Sequence, residues 1–204
     1  MPLSADALTT VAHMRAYLQR SRTDTTAGRF TDAEMEALIE STSAAIAGYT
    51  QRQLIAPTLA QFYTLSATDS VRLQLPEWPI VAISSLTIDG GDEIDWIASD
   101  DDYLAGIITL KNTTSGVPPQ LITCVARLGY DPTAITFQDR ISRAHKVALA
   151  QLESACLQWA AMLFTAPIPS AETVQVDQVA FTVRESEIPM RVRGILQGYV
   201  RYAI

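Results

Sequence analysis

The spacing of apolar positions changes twice along the chain, and those changes divide it into elements. Near the start, Val11, Met14 and Leu18 recur at i, i+3, i+7 behind Thr9 and Thr10, either of which can cap, so a helix is predicted over about 10–20. A polar connection from Ser21 to Arg29, with Gly28 in it, follows. Thr31-Asp32-Ala33-Glu34 then spells a capping box, in which the Thr hydroxyl accepts the exposed N3 amide and the Glu reaches back to the cap's own amide. Met35, Leu38, Ile39, Thr42, Ile46 and Tyr49 line one face behind it and predict a second helix over about 32–52.

From about Leu59 to Leu128 the period falls to two. Val71, Leu73 and Leu75 alternate with Arg72 and Gln74 until Pro76-Glu77-Trp78-Pro79, whose prolines fit only an edge or a corner of a sheet. Val81 and Ile83 resume the alternation, and Ser84-Ser85 shifts its phase so that Leu86 and Ile88 carry it on, the pattern of a bulge. Asp89-Gly90-Gly91-Asp92 reads as a hairpin turn. Ile107–Leu110 and Leu121–Leu128 complete a small antiparallel sheet, which Gly129-Tyr130-Asp131-Pro132 ends.

The helical period returns over about 139–164, where Ile141, Ala144, Ala148, Leu149, Leu152, Ala155, Cys156, Trp159 and Leu163 form a broad face, and Ala166-Pro167-Ile168-Pro169-Ser170 breaks it. Val174–Val183 alternates like a short strand. Pro189 suits the first position of a last helix over about 189–201, with Val192, Ile195, Leu196 and Tyr199 on one face. The expected fold is α+β: mainly a helical bundle from helices within about 10–52 and 139–204, with an inserted small antiparallel β-region over about 59–128. All of it belongs to one domain, 1–204.

With 48% hydrophobic and 18% charged residues, the 204-residue composition is that of a folded globular chain. No apolar run reaches the roughly 18–20 residues of a membrane span. Met1-Pro2-Leu3-Ser4-Ala5-Asp6 lacks the basic and apolar regions of a signal peptide, so a soluble protein made in the cytoplasm is expected. Cys124 and Cys156 lie far apart without CxxC spacing and read as buried, reduced thiols.

Charge is unevenly placed. Between Leu73 and Leu110 there is no Lys, Arg or His, while Glu77, Asp89, Asp92, Glu93, Asp95, Asp100, Asp101 and Asp102 supply eight of the negative charges. The total is −7, so the rest of the chain sums to about +1. Such a segment does not displace counterions from phosphates, which argues against sequence-specific DNA binding.

Candidate chemistry is sparse. His13 and His145 have no Cys, His or carboxylate at metal-ligand spacing and read as solvated or structurally satisfied. Asp100-Asp101-Asp102 and Asp89-Gly90-Gly91-Asp92-Glu93 with Asp95 do not follow the spacing that wraps oxygen ligands around calcium, and read as solvated turns. Trp78 and Trp96 read as core or interface aromatics. There is no GxSxG, P-loop or GxGxxG. No catalytic residue, metal ligand, cofactor or enzymatic activity is expected.

Five phrases, in order, resemble the head–tail connector (adaptor, or head-completion) family of long-tailed bacteriophages and gene-transfer particles. They are Ile46 to Leu54, containing Tyr49 and Arg52; Val71 to Ile83, containing Leu75-Pro76, Trp78 and Pro79; Asp102-Tyr103-Leu104 with Gly106 to Leu110; Val125 to Tyr130, leading by way of a proline into the long helix; and Ile188-Pro189 through Tyr199. Together they cover nearly the whole chain. The Ser21–Arg29 link and the Asp89–Asp102 stretch depart from the family pattern by their length.

The resemblance implies a non-enzymatic virion part. A ring of copies, commonly twelve, would dock below the portal protein, meet a stopper or tail-completion protein, and continue a channel through which DNA passes without sequence-specific contact. No membrane is involved. Under this reading Tyr199, Arg201, Tyr202 and Ile204 are candidate partner-binding residues, because exposed Tyr and Arg are enriched at interface hot spots. Asp92, Glu93, Asp100, Asp101 and Asp102 form a candidate acidic loop facing the channel or a neighbour. Another neck or tail-completion ring protein is the nearest alternative, and a small-ligand-binding protein is one from a different class.

Overall fold

The computed structural model describes residues 3–20, 31–67, 72–88, 91, 93–111, 120–133, 140–165 and 188–201. The expected strand Val174–Val183, the Ser21–Arg29 link, the Ala166–Ser170 break, Val71, and Asp89, Gly90 and Asp92 of the turn lie outside the described residues. Contacts within the chain divide it into two compact units, Met1–Arg52 with Leu149–Ile204, and Gln53–Ala148.

The first unit is built from helices. Helix α1 spans Val11–Arg20, and Thr10 caps it by accepting the His13 amide at 3.2 Å. Helix α2 spans Asp32–Thr50 and carries the anticipated capping box on both sides: Thr31 Oγ1 accepts the Glu34 amide at 3.3 Å, and the Thr31 amide reaches Glu34 Oε2 at 2.8 Å. Met14 and Leu18 of α1 pack with Met35, Leu38 and Ile39 of α2 in one cluster, joined by Leu157 and Ala160 from a long helix over Arg140–Thr165. Helix α2 ends where Gln51 turns left-handed (φ 53°) and the Arg52 amide returns to the Ala47 carbonyl.

The second unit holds two three-stranded antiparallel sheets. In the first, β1 (Gln61–Ala67) and β3 (Ile80–Ile88) flank β6 (Gln120–Leu128). Residues directly opposite each other share a face, so the register sorts the side chains. Tyr63, Cys124 and Leu86 form one row and Leu65, Ile122 and Ile88 the next, all turned to the core. Phe62 with Val125, and Thr64 with Thr123, lie on the opposite face. In the second sheet β5 (Ile107–Leu110) lies between β2 (Arg72–Gln74) and β4 (Trp96–Ile97), with Leu73 opposite Ile108 and Trp96 opposite Leu110. Inner residues of both sheets belong to one hydrophobic cluster. The chain crosses between the sheets over residues 94–96: Ile94 still donates to the Leu86 carbonyl of β3, while Trp96 already pairs with β5.

The entry to the β-region and the exit from β6 are tied together. The Tyr130 amide donates to the Leu54 carbonyl at 2.7 Å and the Ala56 amide to the Tyr130 carbonyl at 3.0 Å. Close approach here requires residue 129 to be glycine: its φ is +112°, and a Cβ on it would stand 2.9 Å from the Ala56 nitrogen.

Four expectations are corrected. The helices are not a dominant bundle with a small inserted sheet: roughly half of the described residues are helical and a quarter are strand, the latter in two sheets around a core of their own. Asp100-Asp101-Asp102 is not a turn but the start of helix α3, Asp100–Ala105. The long helix, α4 in chain order, occupies Arg140–Thr165, yet its Ile141 and Leu149 are only partly buried while His145, Leu157 and Ala160 go in. Finally, Pro189 is the cap before helix α5 (Met190–Leu196) and not its first residue, and a 3-10 turn over Gln197–Tyr199 replaces helix beyond it. The Ser84-Ser85 irregularity is present as a register shift between Ile83 and Ser85, joined by one between Ile80 and Ala82.

Two glycines allow the backbone argument to be tested in opposite directions. Gly129→Ala must force a positive φ and a backbone clash, and should cost about 1–3 kcal/mol of unfolding free energy. Gly194→Ala meets nothing within 4 Å inside α5 and should stabilise by up to about 1 kcal/mol. Chemical denaturation of both variants reads the two signs directly.

Candidate interaction surfaces

The acidic stretch sorts into carboxylates that build structure and carboxylates that do not. Ser99 caps α3, accepting the Asp102 amide at 3.2 Å while Asp102 Oδ2 accepts from the Ser99 amide and hydroxyl, so Asp102 completes a second capping box. Arg72 also donates to Asp102 from the neighbouring strand β2. Those contacts, the Ser99 hydroxyl foremost, hold the Asp102 carboxyl below its ordinary range. Asp101 pairs with Arg140 at 2.6 Å across an exposed surface, an interaction of little energetic weight. Glu93, Asp95 and Asp100 are exposed and take no part in an ion pair among the described residues. Asp92 lies outside the described residues.

Trp96 and Tyr103 sit behind this surface with ring centroids 6.0 Å apart, both half-buried against the β core, so Trp96 serves packing. Trp78 is half-buried at the corner between β2 and β3, where the Trp78–Pro79 bond is cis.

At the C-terminal side the four expected residues separate. Tyr199 turns inward: it is 8% exposed, its hydroxyl donates to Gln151 Oε1 at 2.5 Å, and its carbonyl accepts from Arg52 Nη1 at 3.3 Å. The Arg201 amide donates to the Thr50 carbonyl at 3.0 Å, and its side chain is exposed. Tyr202 and Ile204 lie outside the described residues. Arg191 and Arg193 are exposed on α5 beside Met190, which is also exposed.

Arg52, Asp131 and His145 are buried polar residues, and pattern reading gave no structural role to the first two. Arg52, just past α2, holds the C-terminal turn through the Tyr199 carbonyl. Asp131 receives the Thr133 hydroxyl at 2.7 Å and amide at 2.8 Å, and Arg127 at 3.4 Å. Burial pushes its carboxyl upward, but the Thr133 hydrogen bonds and the Arg127 guanidinium outweigh that and leave it below the usual carboxylate range. The Asp131 amide donates to His145 Nδ1 at 3.1 Å, which requires that nitrogen to be unprotonated. Asp131-Pro132-Thr133 is a turn signature of a kind that finds such a site in sequence. His145 is thus a structural residue, and His13 is an exposed one whose Nδ1 meets Glu153 at 2.5 Å.

Cys124 and Cys156 are free and buried, and burial pushes both thiols up to about 11. Among the described residues no three His, Cys, Asp or Glu side chains are grouped to hold a metal ion, and no helix is long and apolar enough to cross a membrane. No protein-family model matches the chain, and no curated protein matches it.

Separation of the carboxylates predicts unequal substitutions. Ser99→Ala should cost about 1 kcal/mol through loss of the cap. Asp102→Asn should lower the melting temperature, and Asp100→Asn should leave it unchanged. Asp131 predicts a pH effect of definite sign. A carboxyl with a lowered folded-state pKa contributes stability above its unfolded pKa near 4, and loses it as pH falls through the folded value. The Asp131→Asn variant should therefore be less stable at pH 7 and lose less than the parent between about pH 5 and 2 in denaturant titrations.

Proposed function

We propose that this chain is a head–tail connector subunit of a long-tailed phage or related particle, a structural ring component that joins the portal to the stopper or tail-completion protein. The observation that carries the reading is where the family-like phrases fall. Tyr49 to Leu54 covers the end of α2, the buried Arg52 and the entry to the β unit. Leu75 to Pro79 covers the corner between β2 and β3. Asp102-Tyr103 covers the second capping box and the aromatic contact. Gly129-Tyr130 ties the exit from β6 to the entry of the β-region, and Pro189 caps α5. The resemblance thus rests on residues that set the backbone course.

In this reading the subunit works through surfaces and carries out no catalysis. Exposed carboxylates at Glu93, Asp95 and Asp100 repel the DNA backbone or face a neighbour, and DNA passes without being bound. The protein resides in the virion neck after synthesis in the host cytoplasm. Repeated head-to-tail contacts close a ring, because a heterologous interface closes when its rotation divides a full turn.

The test is the mass of the purified chain, alone and mixed with the portal protein of the same particle. A truncation for it has to stop after Arg201, because ending at Gly198 would remove Tyr199 from its buried place. The parent chain should join the portal as a ring-sized complex and fail to retain duplex DNA at moderate salt. The chain ending at Arg201 should melt like the parent and bind the portal more weakly. A parent chain that never joins the portal would overturn the reading.

A further inference from the structure

Among the described residues, strand β1 is an edge that no other element covers. Natural sheets protect their edges with charges, prolines, bulges or covering elements, because an open row of backbone N–H and C=O groups recruits another strand. The opposite edge, β3, is irregular, with two register shifts and a bridge from Thr87 to Glu93. In the second sheet the edge strands β2 and β4 have only three and two residues. Strand β1 carries none of these devices in its own sequence. It runs seven residues, Gln61-Phe62-Tyr63-Thr64-Leu65-Ser66-Ala67, in unbroken register with β6. It contains no charge, proline or bulge, and among the described residues no backbone bond reaches its outer edge. Phe62 is 79% exposed, and Leu59 just before the strand is 78% exposed.

We propose that two copies of this chain pair edge to edge through β1, antiparallel, about a two-fold axis at Thr64. An extended strand is the occupant that satisfies such an edge. The strand's own register selects a second copy of β1, because about Thr64 it is complementary to itself. Copies carry a net charge of −7, and β1, which has no charged residue, is a stretch that adds no like-charge opposition where they meet. About the two-fold axis Thr64 faces Thr64, and the half-buried Tyr63 faces the half-buried Leu65, extending the core rows Tyr63–Cys124–Leu86 and Leu65–Ile122–Ile88 into the second copy. The result is a continuous six-stranded sheet. This contact is isologous and stands apart from the head-to-tail ring proposed above, which needs two different surfaces per copy.

The axis makes position 64 a sensitive probe, since each copy presents it to itself. Thr64 is exposed and on the outer face of the sheet, so Thr64→Lys and Thr64→Glu should leave the subunit fold intact. Each variant alone opposes like charges and should weaken self-association on the order of fivefold or more. An equimolar mixture opposes Lys to Glu and should restore the two-copy mass in sedimentation velocity. In the parent protein, amide exchange along residues 61–67 should slow as concentration rises. A parent chain that stays monomeric with concentration-independent exchange would refute the pairing. So would a mixture that assembles no better than its components. A larger ring-sized species insensitive to both substitutions would refute it while leaving the ring reading in place.

Discussion

The second unit depends on a short tie between the entry to its β-region and the exit from β6. Leu54 to Ala56 arrives from α2 and Gly129-Tyr130 leaves β6, and two backbone hydrogen bonds of 2.7 and 3.0 Å join them. Closing a segment of this length costs conformational entropy that grows only slowly with the number of residues enclosed. The tie also sets the course of β6, and β6 is the strand with which both β1 and β3 register. Slipping β6 by one residue would turn Ile122, Cys124 and Ala126 out of the core and Thr123 and Val125 into it. The Gly129 amide is bound as well, to the Pro79 carbonyl at 2.8 Å, so the corner at Trp78–Pro79 is held from the same point. A conformation open to glycine at residue 129 thereby connects the entry, the corner and the central strand.

Local chemistry was legible where a few neighbouring residues decide the outcome. Both sides of the Thr31–Glu34 capping box, the ends of α2 and α4 to within about two residues, and the bulge at Ser84-Ser85 follow from spacing alone. What spacing conceals is which stripe meets which. The alternating run was read as one small sheet, but β4 has only two residues and its partner β5 is set by the crossover after Glu93, a long-range choice. The apolar stripes of the helices announce burial without naming a partner, so they suggest a dominant bundle that the fold does not have. Asp100-Asp101-Asp102 looks like a solvated turn until Ser99 is seen to need Asp102 three residues on, the same grammar as Thr31 and Glu34 with a shorter acid.

The candidate surfaces were legible in charge and not in exposure. Sequence grouped Asp100, Asp101 and Asp102 together, whereas capping and Arg72 commit Asp102 to the fold, Arg140 meets Asp101, and Asp100 stays in solvent. It also grouped Tyr199 with Arg201, whereas Arg52 and Gln151 turn Tyr199 inward. Buried polar residues are the hardest to foresee, because a guanidinium or carboxyl enters the interior only when its partners are already placed. Arg52 draws on a carbonyl 147 positions away in sequence. Asp131 is the exception, satisfied largely by Thr133, and its Asp-Pro-Thr signature lies in plain view.

Where association is concerned, polarity divides the work among different residues. The acidic group around Asp95 and Asp100 and the basic group around Arg191 and Arg193 suit contacts that are oriented, salt-sensitive and unlike on their two sides. Strand β1 offers backbone hydrogen bonds and apolar area without charge, which suits a contact that is the same on both sides. An isologous pair is complete at two copies, and a heterologous series is complete when it closes on itself. Because Gln61–Ala67 shares no residue with either charged group, pairing through β1 spends none of the charge complementarity that an oriented ring contact requires. The proposed ring contact and the proposed pairing can therefore coexist in one sequence, and salt would separate them: added electrolyte would weaken an oriented contact between charged groups, while by lowering the repulsion between net-negative copies it would favour the neutral one.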